Sequence, residues 1–327
     1  MVRLISDTIF LMPVAFAVTF LLTLFSIKFL KKKLPQDMGR AFAVNGANSK
    51  GKARGAGIIL IIVYVLCVLM FMPLSVERGC YLTLLVAVML TGFFDDASKK
   101  PWGNLTKGIL DTGIAVLTAA SFLYFNENTV HLALVDITFS IPVWLYGLLI
   151  ILLVFGSINV VNCTDGVDGL CGSLSIVTLG SFMLLPEELF STESRNSILL
   201  FIAVLIAYLW FNTKPSTVLM GDAGSRAIGL LVAIVALKSH DPFLFIPFAV
   251  VMIFDGGLGL FKLTVLRIAK KVFRMKDPTF MKKIRTPLHD HVRKSFKEGS
   301  RWEDPQVVWR FLIIQIAVSA IILLLIK

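Results

Sequence analysis

Long apolar stretches recur along the chain, each separated from the next by a short polar segment. A helix that crosses the hydrocarbon core of a bilayer needs about 20 predominantly apolar residues. Ten stretches approach that length, at about 9–30, 56–73, 79–94, 107–125, 141–158, 169–185, 197–211, 226–238, 243–266 and 308–326. The pattern predicts an all-α, polytopic integral membrane protein with about ten transmembrane helices, in a single transmembrane domain over residues 1–327.

The composition agrees with this prediction. Hydrophobic residues make up 57% and charged residues 16% of the 327 residues, whereas soluble domains have about 45–50% and 25%. The mean hydropathy is +0.83. The four cysteines have no CxxC spacing and lie mostly in apolar surroundings, so we interpret them as small buried hydrophobic side chains: Cys67, Cys80, Cys163 and Cys171.

Positive charge is concentrated in alternate loops. With ten spans, one side of the membrane receives the loops near 31–55, 95–106, 159–168, 212–225 and 267–307. These loops carry more than twenty Lys and Arg residues, whereas the opposite loops carry only Arg78 and Arg195. Because Lys and Arg favour cytoplasmic loops, we predict that the basic loops are cytoplasmic and that both termini face outward. The same rule accounts for the net charge of +11, so we expect no nucleic-acid partner. The segment from Pro35 to Gly57 is rich in Gly, Lys, Ala and Asn, which predicts a mobile loop.

Three of the basic loops carry carboxylates at the very ends of apolar stretches. One holds the adjacent Asp95 and Asp96, with Lys99 close by, and another holds Asp222 between two glycines. Adjacent carboxylates repel each other unless a cation lies beside them. Mg²⁺ suits such a position, because it binds one or two carboxylates together with substrate phosphates. The alternatives are a solvated helix end for the pair and a helix N-cap for Asp222.

The third of these loops has no simple structural explanation. Asn159, Asn162, Asp165 and Asp168 recur every three residues, a spacing that shares one helix face, but the glycines after the aspartates predict a break. A helix broken at the membrane surface exposes backbone N–H groups that suit a phosphate or a nucleotide base.

A fourth polar segment, TPLHDHVRK, places His289 and His291 two residues apart. A helix would direct the two side chains to different sides, whereas an extended loop would direct them alike. Metal ligation, phosphate binding and a plain loop all fit this segment.

Taken together, the four segments resemble the polyprenyl-phosphate N-acetylhexosamine-1-phosphate transferase superfamily. The resemblance is carried by DDxxK at 95–99, NxxNxxDGxDGL at 159–170 and MGDxGS at 220–225. The stretch from Arg285 to His291 and the W-x-x-P-x-V-V-x-R-F pattern at 302–311 resemble the phospho-N-acetylmuramoyl-pentapeptide transferase subfamily in particular. The chain differs from that subfamily at Asp290, where a histidine is expected, and at Leu219, where phenylalanine is usual.

The resemblance implies a Mg²⁺-dependent, multi-pass transferase of the bacterial plasma membrane that acts in peptidoglycan biosynthesis. Undecaprenyl phosphate would attack the β-phosphate of UDP-N-acetylmuramoyl-pentapeptide, giving lipid I and UMP. It implies Asp222 and Asp96 as metal ligands and Asp95 or Asp96 to deprotonate or orient the lipid phosphate, with Lys99 and Lys107 holding phosphate oxygens. The residues implied in binding the nucleotide substrate are Asn159, Asn162, Asp165, Asp168, Asn212, Leu219, His289 and His291.

Other functions stay open at this point. A related transferase for UDP-N-acetylglucosamine, or for another UDP-N-acetylhexosamine, carries the same superfamily motifs. A cation-coupled transporter would use the acids as an ion path, but transporters place such sites near the bilayer midplane and often have inverted repeats. Here the acids cluster at one face and no repeat is evident. The sequence does not determine the oligomeric state, a homodimer included, or whether a covalent intermediate forms.

Overall fold

The computed structural model describes residues 2–39, 44, 46–98, 100–271, 274, 284–294 and 301–326. The elements are α1 Val2–Leu30, α2 Gly57–Phe71, α3 Val76–Ala97, α4 Asn104–Phe125, β1 Thr129–Leu132, β2 Ile137–Ser140, α5 Val143–Thr164, α6 Leu170–Met183, α7 Thr192–Asn212, α8 Gly221–Lys238, α9 Phe245–Phe248, α10 Val250–Met252, α11 Leu258–Lys271, α12 Leu288–Lys294 and α13 Asp304–Leu325. A π-helical turn, Ile253–Gly257, joins α10 to α11. Each of the ten predicted stretches is helical.

The prediction of an all-α, polytopic membrane protein is confirmed. Within the described residues, six helices are long and apolar enough to cross a bilayer, namely α1, α3, α4, α5, α7 and α13. A bent pair formed by Pro242–Phe248 and Val250–Lys271 raises the count to seven. The remaining stretches form α8 and the shorter apolar helices α2 and α6, so the count of ten stays a prediction, as does the orientation. The antiparallel β1–β2 hairpin was not predicted.

Helix α8 is the centre of the bundle. Every residue from Gly221 to Leu237 is buried, and α2, α3 and α5 pack around the helix. A Cβ atom on Gly57 of α2 would lie 2.0 Å from the backbone nitrogen of Gly224, so the two helices touch where neither has a side chain. Because α8 contacts protein on these sides, it can carry Asp222 and Arg226 without exposing them to lipid.

The predicted span at 243–266 is not one straight helix. Its two parts meet at 73°, and the backbone groups released by the break find partners on neighbouring helices. Gln315 accepts a hydrogen bond from the Val251 nitrogen at 3.0 Å and donates one to the Pro247 oxygen at 3.0 Å. Thr178 donates to the Phe248 oxygen at 2.7 Å. The break is therefore supported inside the bundle, where unpaired backbone groups are costly.

The segment from Pro35 to Gly57, predicted as a mobile loop, is held in place over its described residues. Ala53 forms isolated bridges with Gln36 and Val218. Its carbonyl oxygen accepts a hydrogen bond from the Leu219 nitrogen at 2.7 Å, and the Leu219 oxygen accepts one from Ala56 at 3.1 Å. Composition predicted a loop, but not this pairing with the segment that precedes α8. The pairing fixes Arg54 beside the start of α8.

Candidate active site

The adjacent aspartates at the end of α3 meet Asp222 from the first turn of α8. Oxygen atoms of Asp95, Asp96 and Asp222 all lie within 4.8 Å of one another. Asp95 and Asp222 are each 5% exposed, so the group is a largely enclosed concentration of negative charge. We call these three residues the carboxylate cluster. The fold thus brings together three of the predicted site residues from two different helices.

Two cations neutralise part of this charge. Lys107 Nζ lies 2.5 Å from an Asp95 oxygen and 2.8 Å from an Asp222 oxygen. Arg54 lies 2.9 Å from Asp96 and 3.5 Å from Asp222. Burial lowers the pKa of Arg54, but Asp96, Asp222 and two further carboxylates outweigh burial and raise that pKa above its ordinary value. Arg54 is therefore charged, and among the described residues two cations contact the three carboxylates.

The backbone at the start of α8 is shaped to meet Asp96. Gly221 has φ +72°, a conformation that favours glycine, and a Cβ atom on it would lie 2.2 Å from an Asp96 oxygen. The same oxygen accepts a hydrogen bond from the Ala223 nitrogen at 3.1 Å. Asp222 does not act as the helix cap, because the N-cap residue is Met220 and no side-chain capping bond is present. The N-cap alternative for Asp222 is therefore wrong.

The carboxylate cluster fits a divalent cation that prefers oxygen ligands. Its three residues offer oxygen atoms only, and Mg²⁺ binds through one or two carboxylates together with substrate phosphates. Asp96 Oδ1 is buried and accepts no hydrogen bond within the described residues, although Arg54 Nε lies 2.9 Å away. A buried carboxylate oxygen that accepts no hydrogen bond can serve as a ligand to a metal cation.

A cleft of about 280 Å³ opens beside the cluster. Asp165, Asp168, Asn212 and Leu219, all predicted as substrate-binding residues, lie along its wall. Its charged lining residues are the basic side chains of Lys52, Arg54, Lys214 and Arg293 and the acidic side chains of Asp37, Asp165, Asp168 and Asp304. This mixture suits a ligand that has both an anionic part and hydrogen-bonding groups.

The predicted helix break after α5 is present. The helix ends at Thr164 and α6 begins at Leu170. Gly169 has φ +85° and donates a backbone hydrogen bond to Asn212 Oδ1 at 2.8 Å, while Asn212 Nδ2 donates to the Val218 oxygen at 2.9 Å. Asn212 therefore connects the loop at this break to the segment that leads into α8, and its predicted role in substrate binding stays a prediction.

The other polar residues of this motif make different contacts. Asp168 lies 3.1 Å from Lys52 Nζ. Asn162 accepts a hydrogen bond from Ser225 of α8 at 2.9 Å, and Asn159 Nδ2 lies 3.4 Å from Asp111. Asn159 and Asn162 are therefore directed at the bundle interior, and their predicted role in substrate binding stays a prediction.

Both histidines lie on the short helix α12, which directs their side chains to different partners. His289 is 3% exposed, and its Nδ1 lies 2.8 Å from an Asp255 oxygen. His291 instead accepts a hydrogen bond from the Arg285 nitrogen at 3.3 Å. A Cβ atom on Gly166 would lie 2.3 Å from His289 Nε2, so His289 packs directly against the loop that lines the cleft.

Several residues of the site were not predicted. Asp255 and Asp111 are acids within apolar stretches, and intramembrane acids are functional candidates by default, so a signal for them was present. Arg54 is one of many basic residues in its loop and had no distinguishing signal. Lys99 lies outside the described residues, and its predicted phosphate contact stays a prediction.

Comparison with known proteins gives relatives over nearly the whole chain. Residues 79–240 match the family described as glycosyl transferase family 4. A phospho-N-acetylmuramoyl-pentapeptide-transferase of Treponema pallidum (strain Nichols) is 36% identical over 96% of this chain and 88% of the relative. A protein of the same name from Thermotoga neapolitana is 29% identical over 94% of this chain and 97% of the relative. These matches confirm the resemblance that the motifs indicated.

Proposed function

The chain belongs to the phospho-N-acetylmuramoyl-pentapeptide-transferase family, and from that membership we propose that it catalyses the reaction of that name. In this proposal, phospho-N-acetylmuramoyl-pentapeptide passes from UDP to undecaprenyl phosphate, and the products are lipid I and UMP. The protein would do this in a bacterial plasma membrane, as a step of peptidoglycan biosynthesis. The names of its relatives favour this donor over other UDP-N-acetylhexosamines.

The observation that carries the proposal is the convergence of Asp95, Asp96 and Asp222 with Lys107 and Arg54 beside an open cleft. Both reactants are anionic, so the reaction needs charge neutralisation and in-line placement more than covalent help from the protein. A cation held by the carboxylate cluster, together with Lys107 and Arg54 beside it, would provide for both needs.

The metal in this proposal is Mg²⁺. Asp222 and Asp96 would hold it, and it would neutralise charge on the diphosphate oxygens. Lys107 and Arg54 already contact the same carboxylates, and they would turn toward substrate phosphates when the carboxylates bind the cation.

The lipid phosphate would be oriented by Asp95, which also accepts a hydrogen bond from the Trp102 nitrogen at 2.6 Å. An oxygen of that phosphate attacks the β-phosphorus of the nucleotide. The bond from the β-phosphorus to the oxygen that bridges the α- and β-phosphates then breaks, and UMP leaves with the electron pair. One phosphoanhydride replaces another, so the step is expected to be reversible.

The cleft would hold the nucleotide. Its four basic residues suit the diphosphate, and Leu219 at its wall would cover one face of the base. The Lys52 ammonium lies 2.7 Å from Ser216 and 3.1 Å from Asp168. These contacts hold it at the cleft wall in reach of a phosphate oxygen.

Purified protein incubated with UDP-N-acetylmuramoyl-pentapeptide, undecaprenyl phosphate and Mg²⁺ should release UMP. EDTA should stop the release, and added Mg²⁺ should restore it. A matched reaction with UDP-N-acetylglucosamine separates subfamily from superfamily. Turnover of that donor alone would overturn the assigned sugar, and turnover of neither would overturn the transferase function.

A further inference from the structure

A second pair of opposite charges joins the same two helices below the carboxylate cluster. Asp111 lies four residues after Lys107 on α4, and Arg226 lies four residues after Asp222 on α8. Residues four apart share a helix face, about one turn or roughly 6 Å further along. Arg226 Nε lies 3.1 Å from an Asp111 oxygen, and Nη2 bonds to the same oxygen. Two ion pairs of opposite orientation therefore bridge α4 and α8. We call Lys107–Asp222 the upper pair and Asp111–Arg226 the lower pair.

Stability alone does not explain the lower pair. Arg226 is 1% and Asp111 is 2% exposed, and Arg226 Nη1 donates to no partner within the described residues. Enclosing two charges in this way is costly, and well-packed apolar residues of similar volume often stabilise a protein as well or better. The positions of the two residues relative to the cluster supply another reason for the pair.

Each member of the lower pair would otherwise compete for a residue of the upper pair. Without Arg226, Asp111 would attract Lys107 one turn away on its own helix and draw it from Asp95 and Asp222. Without Asp111, Arg226 would attract Asp222 in the same way. We propose that Asp111 and Arg226 are positioning residues that neutralise each other and so keep Lys107 and Asp222 directed at the site.

This inference rests on the proposed function, because it assigns Asp222 to a metal. It also predicts an asymmetry. An acid followed four residues later by a base is the more favourable order on a helix. Arg226 would therefore hold Asp222 more strongly than Asp111 would hold Lys107. Removing Asp111 should disturb the site more than removing Arg226.

The test measures the affinity of the purified protein in detergent for Mn²⁺. The concentration of unbound Mn²⁺ is read from its electron paramagnetic resonance signal. Loss of a group that orients a metal ligand typically costs about 10–100-fold in metal affinity, and we expect Asp111→Asn to lie in this range. Arg226→Met should have a smaller effect. The double variant should recover most of the affinity, because no unpaired charge remains.

Ser157→Ala is the matched structural control. Ser157 donates a buried hydrogen bond at 2.6 Å to Gly229, three residues after Arg226 on α8. Its loss removes a polar contact of α8 without changing any charge, so the melting temperature should fall and Mn²⁺ affinity should not change. If a single variant does not fold, the neutral double variant decides, since wild-type-like Mn²⁺ affinity supports the proposal and loss of binding overturns it.

The failures of the two proposals are distinguishable. Equal Mn²⁺ affinity in the wild type and both single variants would overturn the positioning role and leave the metal site intact. A double variant that binds more weakly than either single variant would also overturn it. A wild-type protein that binds no Mn²⁺ would overturn the metal assignment under the proposed function, and this inference with it.

Discussion

Helices α3 and α8 run antiparallel, so each end of the pair brings the start of one helix to the end of the other. At one end, Asp95 and Asp96 meet Asp222, and among the described residues Lys107 and Arg54 contact these acids. At the opposite end, Lys238 lies 3.0 Å from Glu77, and its ammonium also donates to Asn126 Oδ1 at 2.7 Å. We call these the aspartate end and the lysine end.

The two ends of the helix pair differ in how their charged side chains are partnered. At the lysine end one acid faces one base, and Glu77 accepts further hydrogen bonds from Asn126 and Tyr81 at 2.8 and 3.0 Å. At the aspartate end, within the part of the chain that the structure describes, three acids contact two cations, and one buried oxygen of Asp96 accepts no hydrogen bond although Arg54 pairs with it. A bonded acid–base pair is satisfied by its own contacts, whereas three carboxylates this close together form a set of oxygen ligands that suits a divalent cation.

The largest expected contrast is in membrane sidedness. The charge distribution predicts that the aspartate end is cytoplasmic and the lysine end is external. In a background without native cysteines, a cysteine replacing Glu127 or Glu193 should react with an impermeant maleimide added to intact cells. A cysteine at Lys50 should react only after the cells are opened. The reversed pattern would place the carboxylate cluster away from a cytoplasmic nucleotide and contradict the proposed function.

Asp222→Asn should lower transfer by about 100- to 1,000-fold, the size expected when one preorganised electrostatic contact is lost. The protein should stay folded in detergent, because the change removes one of three crowded negative charges. UMP release at saturating substrate measures the effect. Glu77→Gln, the matched change at the lysine end, should leave turnover close to wild type. Comparable losses in both variants would erase the distinction between the ends.

Gly221→Ala should lower transfer by about tenfold to 100-fold, since misplacement of a catalytic group by about 1 Å can cost the larger factor. A Cβ atom at this position would lie 2.2 Å from Asp96 on a backbone with φ +72°. Gly79→Ala is the control near the lysine end, where nothing lies within 4 Å of the added atom. Wild-type activity in Gly221→Ala would show that Asp96 does not need its present position.

Much of the fold follows from the spacing of apolar residues. The stretch at 107–125 became α4, Asn104–Phe125, because a membrane helix needs a long uninterrupted apolar run. The 73° bend after Phe248 was missed, because it depends on partners from distant helices, such as Gln315. Hydropathy also gave no sign of the β1–β2 hairpin.

Some residues of the candidate site could likewise be predicted from the sequence, and others could not. Asp95, Asp96 and Asp222 were predictable because acids at the ends of apolar stretches are unusual. Arg54 was not predictable, because its position beside the carboxylate cluster depends on the bridge between Ala53 and Val218. That bridge links segments far apart in sequence. Partners of this kind are fixed by tertiary pairing and leave no local pattern.

Leu219→Phe tests which part of the cleft at the aspartate end holds the nucleotide base. Leu219 lies at the wall of the cleft, where an aromatic ring could stack on the base, a gain of typically about 0.5–1.5 kcal/mol beyond area burial. We expect UMP to bind more tightly by no more than about tenfold, the equivalent of 1.4 kcal/mol. Titration calorimetry measures the change, with Leu184→Phe, an exposed leucine, as the control. Weaker binding would place the base elsewhere in the cleft.

The smallest expected effect belongs to the lysine end, and it concerns stability alone. The Lys238 and Glu77 side chains are 27% and 24% exposed, so solvent screens their attraction and each single loss should cost about 1 kcal/mol. Lys238→Met leaves Glu77 with hydrogen bonds from Asn126 and Tyr81. Glu77→Gln instead leaves the ammonium without its acid, so it should lower the melting temperature in detergent more. The double variant should lose less than the sum of the single losses, because both change the same contact. Strict additivity would show that the pair does not interact, and a loss of turnover like that of Asp222→Asn would show that the lysine end also serves catalysis.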